Sequence, residues 1–148
     1  MTCRRSFTLV EVMIAVAIIS ILLTLALPAV MRVFTSAKVS RFVNDLRVVS
    51  EAFQFYSFDN GSFPPESSSG VVPDGMDFYL REFPWSLASC IGGNWDWDND
   101  GDKKIGVAVK NSTVTAALFT AIDEKMDDGD LGTGQFTAQG SNCMYRML

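Results

Sequence analysis

Histidine is absent from the 148 residues, and cysteine occurs only three times. Without imidazole there is no Ser–His or Cys–His nucleophile pair and no HExxH metal helix, and zinc would find only cysteine and carboxylate ligands. Positive charge is scarce as well. Twelve Lys and Arg stand against 17 Asp and Glu, a net charge of −5, which disfavours a protein that tracks nucleic-acid phosphates. No internal repeat is present, and no nucleophile–base pair stands out, so an enzyme is the weakest of the functional readings. The length suits one domain, for which ~100–200 residues is usual.

What is abundant is apolar residues, at 48% of the chain, and they are unevenly placed. Val12–Met31 carries no charge, and Ser20 and Thr24 are its polar members. A helix of about twenty residues covers about 30 Å, the hydrocarbon thickness of a bilayer. Pro28 falls near its end, where it removes one backbone hydrogen bond. A secretory signal peptide would need an apolar stretch of only about 7–15 residues and a small-residue cleavage site, which Pro28-Ala29-Val30-Met31-Arg32 does not offer. A buried core helix would show a polar face over this length. A plain membrane anchor explains the length and the basic start Arg4-Arg5, but gives no reason for Glu11 immediately before the uncharged run. Either Glu11 is solvated at headgroup depth, or it has a partner and a function.

After the span the pattern becomes amphipathic. Val39, Phe42, Val43, Leu46, Val49, Phe53 and Tyr56 recur at three- and four-residue intervals, with Lys38, Arg41, Asp45 and Glu51 on other faces. No strong breaker intervenes before Asn60-Gly61, so one helix is expected from about Phe7 to Phe58, about 78 Å at the standard rise. Asn60–Gly75 reads as loop and Met76–Trp85 as a short helical turn ended near Pro84. From Gly92 the chain reads as β. Trp95 and Trp97 alternate with Asp96 and Asp98, Ile105, Val107 and Val109 alternate with Gly106, Ala108 and Lys110, and Asn99-Asp100-Gly101-Asp102 between them signals a hairpin. Thr113–Met126 reads as a helix with Val114, Ala117, Leu118, Ala121 and Ile122 on one face, and Gly134–Gly140 and Cys143–Leu148 as closing strands. The expected fold is α+β: a long amino-terminal helix packed on a small antiparallel sheet.

The amino-terminal string as a whole resembles a known family. A short basic leader, then Phe7-Thr8-Leu9-Val10-Glu11, the apolar run and Pro28 look like the processing segment of type IV pilins and type II secretion pseudopilins. The resemblance implies a leader over residues 1–6, a long helix over 7–58 and an α/β head over 59–148. It implies cleavage between Ser6 and Phe7 by a prepilin peptidase that also methylates the new amine; Ser6 stands where the family usually has Gly. It further implies that Glu11 pairs with the amine of a neighbouring subunit during polymerisation, and that Pro28 occupies the family's helix proline. The expected partners are identical and related pilin-like subunits, the peptidase and methyltransferase, and an inner-membrane assembly platform. The expected location is the inner membrane, crossed once, with the head in the periplasm. Cys90–Trp97, and Asp123 to Gly134, look more loosely like the heads of a subset of pilin-like proteins.

Two further expectations concern the head. Asp96, Asp98, Asp100 and Asp102 match the first half of a calcium loop, although Val107 stands where the bidentate Glu belongs; the other reading is a solvated hairpin tip. Asp123, Glu124, Asp127, Asp128 and Asp130 around Gly129 form a second acidic cluster that could close a cation site or end a helix. Calcium is thus the one candidate cofactor, and a single-span anchored module with an acidic, calcium-binding head is the alternative function. Loss of Cys3 with the leader would leave Cys90 and Cys143, either as a disulfide in an oxidising compartment or as two buried thiols.

Overall fold

The computed structural model describes residues 8–101 and 104–147. Its elements are α1 (Leu9–Asn60), β1 (Asn94–Asn99), β2 (Ile105–Lys110), α2 (Ala116–Met126), β3 (Phe136–Gln139) and β4 (Asn142–Arg146). Contacts divide the chain into one compact unit ending at Ser36 and a second beginning at Ala37.

Within the first unit, α1 opens with Thr8 as its cap: the hydroxyl oxygen of Thr8 accepts the Glu11 amide at 3.3 Å. The apolar side chains that follow are exposed from Leu9 to Met31, and none packs into a core. The hydroxyls of Ser20 and Thr24 turn back onto the carbonyls of Val16 and Ile21, at 2.8 and 2.7 Å, so the helix shows little free polarity along this stretch. Pro28 sits inside the helix without ending it.

In the second unit the amphipathic stripe is the core face of α1. Val39, Phe42, Val43, Leu46, Val49 and Phe53 are buried there, in the period expected of a helix lying on a sheet. Opposite them stand Trp95 and Trp97 on β1 and Val107 and Val109 on β2, with Trp85, Met76 and Ile91 filling in from the connecting segment. Three fully buried tryptophans dominate this core. The Trp85 indole donates to the Val71 carbonyl at 2.8 Å, and that of Trp97 to the Pro64 carbonyl at 3.0 Å, which fastens the irregular 61–87 stretch over the rings.

The sheet is antiparallel with order β1-β2-β4-β3. Both outer strands are covered. The Gly70 amide bonds the Trp95 carbonyl at 2.7 Å and Ala88 bridges Asn94 along β1, while the Leu131 carbonyl takes the Ala138 amide at 3.0 Å along β3.

Two sequence expectations are corrected. Residues 76–85 form linked turns, with a single i to i−4 bond from the Leu80 amide to the Met76 carbonyl, because Pro84 and the docking of Trp85 stop propagation. In α2 the inward residues are Phe119, Ile122 and Asp123, and Ala117 is exposed. Phe119 buries far more apolar surface than Ala117, and its burial sets the rotation of the helix.

Candidate assembly segment and acidic head sites

Glu11 lies in the first turn of α1 and is exposed, the one charged residue between Thr8 and Arg32. A carboxylate in the first turn faces the positive end of the helix macrodipole. Around it stand Leu9, Val10, Val12, Met13 and Ile14, all more than half exposed. This arrangement offers one anionic point on an otherwise greasy surface. Ser6 and Phe7, where cleavage and methylation are expected, lie outside the described residues.

The hairpin carboxylates meet a lysine. β1 is extended, so Asp96 and Asp98 project to the same outer face, and both contact the ammonium of Lys110, which is 3.0 Å from Asp98. Asp96 is 2% exposed, and burial pushes its carboxyl above the usual range, against the pull of Lys110. Asp100 lies at the exposed tip, and Asp102 is outside the described residues. Of the four aspartates of the expected calcium loop, Asp96 and Asp98 thus lie on an extended strand with a lysine ammonium between them. Sequence reading missed Lys110, though counting back across the hairpin from Asn99 opposite Ile105 puts Lys110 on the face of Asp96.

The second acidic cluster does converge. Asp123 on α2 is fully buried, and both of its carboxylate oxygens lack a well-formed hydrogen bond among the described residues. Asp127 and Asp128, both exposed, bring their carboxylates close to it, with one oxygen from each of the three within 4.8 Å of the others. Burial, followed by Asp128, Asp127 and Asp130, raises the Asp123 carboxyl. The neighbours are held in place by the turn itself. Asp127 accepts the Gln135 and Phe136 amides, while Asp128 accepts the Asp130 amide at 2.9 Å and the Thr133 hydroxyl at 2.9 Å. Gly134, at φ +74°, leaves room for Asp127; a Cβ there would collide with its carboxylate.

Cys90 and Cys143 are both free thiols, so the bridge suggested by cysteine parity is not made in this structure. The Cys90 thiol is turned to the Lys38 carbonyl of α1, 3.9 Å away, whereas Cys143 sits on β4 between Val109 and Ala138. Burial pushes the Cys143 thiol up to about 12.

Comparison with known proteins bears on these observations. Residues 1–27 match the prokaryotic N-terminal methylation motif. The chain is 38% identical over 61 residues to the type II secretion system core protein G of Pseudomonas aeruginosa, covering 41% of this chain and 43% of that one. It is 33% identical over 93 residues to the protein of the same name from Klebsiella michiganensis, covering 55% and 66%. Over 76 residues it is 33% identical to the type IV major pilin protein PilE1 of Neisseria gonorrhoeae, covering 51% and 36%. The chain thus spans less than two thirds of the length of each of these relatives. Its fold is similar to that of the major type IV pilin PilA1 from Clostridium difficile, with a TM-score of 0.54 at 16% identity over 76% of this chain and 96% of the other. Methylation motif, relatives and fold agree in direction: the chain carries the prokaryotic methylation motif at its start, is similar in sequence to type II secretion core protein G and to type IV pilins, and shares a pilin's fold.

Proposed function

We propose that the chain is a structural subunit, not an enzyme, of a type IV pilus or type II secretion filament, anchored in the inner membrane with its head in the periplasm until it polymerises. The observation that carries this reading is Glu11, a single carboxylate at the start of a helix whose apolar side chains, Leu9 to Met31, all face outward. Such a surface is satisfied only by lipid or by other helices. Cleavage before Phe7 would create a cationic amine four residues from Glu11. In a low-dielectric surrounding each charge is costly alone, so the amine of an incoming subunit and the Glu11 of an assembled one neutralise each other. That pairing also fixes the axial step, which apolar packing by itself leaves free to slide. Identical or related subunits, the peptidase that cuts and methylates, and an inner-membrane platform are the partners this reading requires.

The test is Glu11→Ala in the producing cell. Membrane insertion should persist while sheared filament falls by at least an order of magnitude, and mass analysis of the wild-type chain should show N-methyl-Phe7 as its first residue. Undiminished filament in Glu11→Ala, or a mature chain beginning at Met1 or Thr2, would remove the proposal.

A second reading, an anchored module whose acidic head binds calcium, is favoured by one observation, the buried carboxylate of Asp123 beside Asp127 and Asp128. Calcium takes six to eight oxygen ligands, and three carboxylates with water would supply them. Thermal melting of the detergent-extracted chain in calcium and in chelator tests it. A rise in calcium that disappears in Asp123→Asn supports the site, and superimposable curves dismiss it.

A further inference from the structure

The outer face of the sheet, away from the tryptophan core, carries a cleft of about 470 Å³ that neither reading has used. Ala108 lies in its floor, and Asp98, Lys104, Lys110, Met144 and Arg146 stand around it. The charges are not balanced among the described residues of this face. Lys110 is taken by Asp96 and Asp98, but Lys104 and Arg146 have no acidic partner among the described residues. The Nε of Arg146 is also buried without an acceptor among the described residues. In a head that is otherwise acidic, this face is therefore a local cationic surface with a donor in want of an oxygen.

The α2–β3 edge of the same head is the opposite. Glu124, Asp127, Asp128 and Asp130 are exposed there, and Lys125 between them is drawn off to the Ser40 hydroxyl of α1 at 2.7 Å. Within one copy, Asp127 and Asp128 are turned to Gln135, Phe136 and Thr133 and form no ion pair with Lys104 or Arg146. A divalent cation at Asp123 would still leave this edge net negative.

We infer that the outer sheet face receives carboxylates, and that its occupant is the acidic α2–β3 edge of a second copy of this chain. The inference rests on the filament reading and deepens it by naming a contact between heads. Because donor and acceptor are different patches of one molecule, the contact can repeat from copy to copy, as an open filament requires. Paired charges at such a contact fix orientation and weaken with salt. Arg146 supplies a planar fork suited to a carboxylate, and Lys104, on the exposed rim, supplies attraction without steric demand.

The full-length chain in its own membrane provides the test. Lys104→Glu combined with Arg146→Gln should lower sheared filament about tenfold, and adding Glu124→Lys with Asp130→Lys should recover most of it. Lys104→Glu alone, at an exposed position without an ion pair among the described residues, guards against misfolding and should show part of the loss. Lys104→Cys combined with Asp130→Cys in one chain should give a ladder of cross-linked multimers. Wild-type filament yield in the double variant, no recovery in the charge exchange, or a cross-linked dimer without higher species would overturn the contact while leaving the filament reading intact. Absence of filaments from the wild-type chain would remove both.

Discussion

Phe53 on α1 and Trp97 on β1 stack face to face, their ring centroids 3.9 Å apart and their planes 13° from parallel. Neither side chain is exposed to solvent. Phe53 also meets Trp85 at 5.6 Å, so one helical side chain joins the sheet to the irregular segment laid over it. Phe53→Ala should lower the unfolding free energy by about 3–5 kcal/mol, read from denaturant midpoints of the detergent-extracted protein. Phe55→Ala, two residues away and 61% exposed, should stay within about 0.5 kcal/mol. Equal effects would mean that the stack does not hold the head together.

Lys110 neutralises Asp96 at a place where water barely reaches the carboxylate. Removing the ammonium in Lys110→Met leaves a buried charge, at a cost of about 3 kcal/mol, the lower end of the usual range because Lys110 is itself 40% exposed. Asp96→Asn placed on top of Lys110→Met should restore most of that loss. A double variant no more stable than Lys110→Met would show that the pair is not coupled.

The acidic cluster should leave a mark on stability against pH. The folded state holds the Asp123 carboxyl above its unfolded value, through burial first and the neighbouring aspartates second, so the native chain binds that proton more tightly. Its contribution is present at acid pH and is lost as pH rises through the folded value. Asp128 is the reverse. The Asp130 amide and Thr133 hydroxyl lower its carboxyl, and its contribution is lost as pH falls through that lowered value. Asp123→Asn should therefore raise the melting temperature at neutral pH more than at pH 4. A uniform offset across pH would contradict this origin.

The thiols should differ in reactivity. Cys143, pushed up to about 12 by burial, should resist iodoacetamide at neutral pH until the head unfolds. Half-buried Cys90, raised by burial and by Asp45, should label slowly in the native protein. Peptide-resolved mass analysis without reductant distinguishes this from a Cys90–Cys143 bridge, which would leave both unlabelled even after denaturation.

Much of this molecule could be read from residue order, for reasons of period. The stripe from Val39 to Phe53 fits one helical face, and Trp95 and Trp97 alternate with carboxylates as a half-buried strand must. The turns at 76–85 were harder, because the Trp85 indole finds its acceptor at Val71 and nothing local announces that contact. Asp127 illustrates the same limit. In sequence it is one acid among several, and only the approach of Gly134 and Gln135 turns it into the clasp of β3. The position of Pro28 inside a continuing helix was legible because no other breaker stands between Leu9 and Asn60. Lys110 was not, since its pairing with Asp96 depends on hairpin register and not on neighbourhood.

The covered edges of the sheet bear on how such a protein is stored. Loop residues Gly70 and Leu131 each occupy a backbone group on the outer edges of β1 and β3, which hinders crowded heads from zipping together strand to strand into a cross-β deposit. In the proposed filament, association is then left to side-chain contacts, which can also come apart.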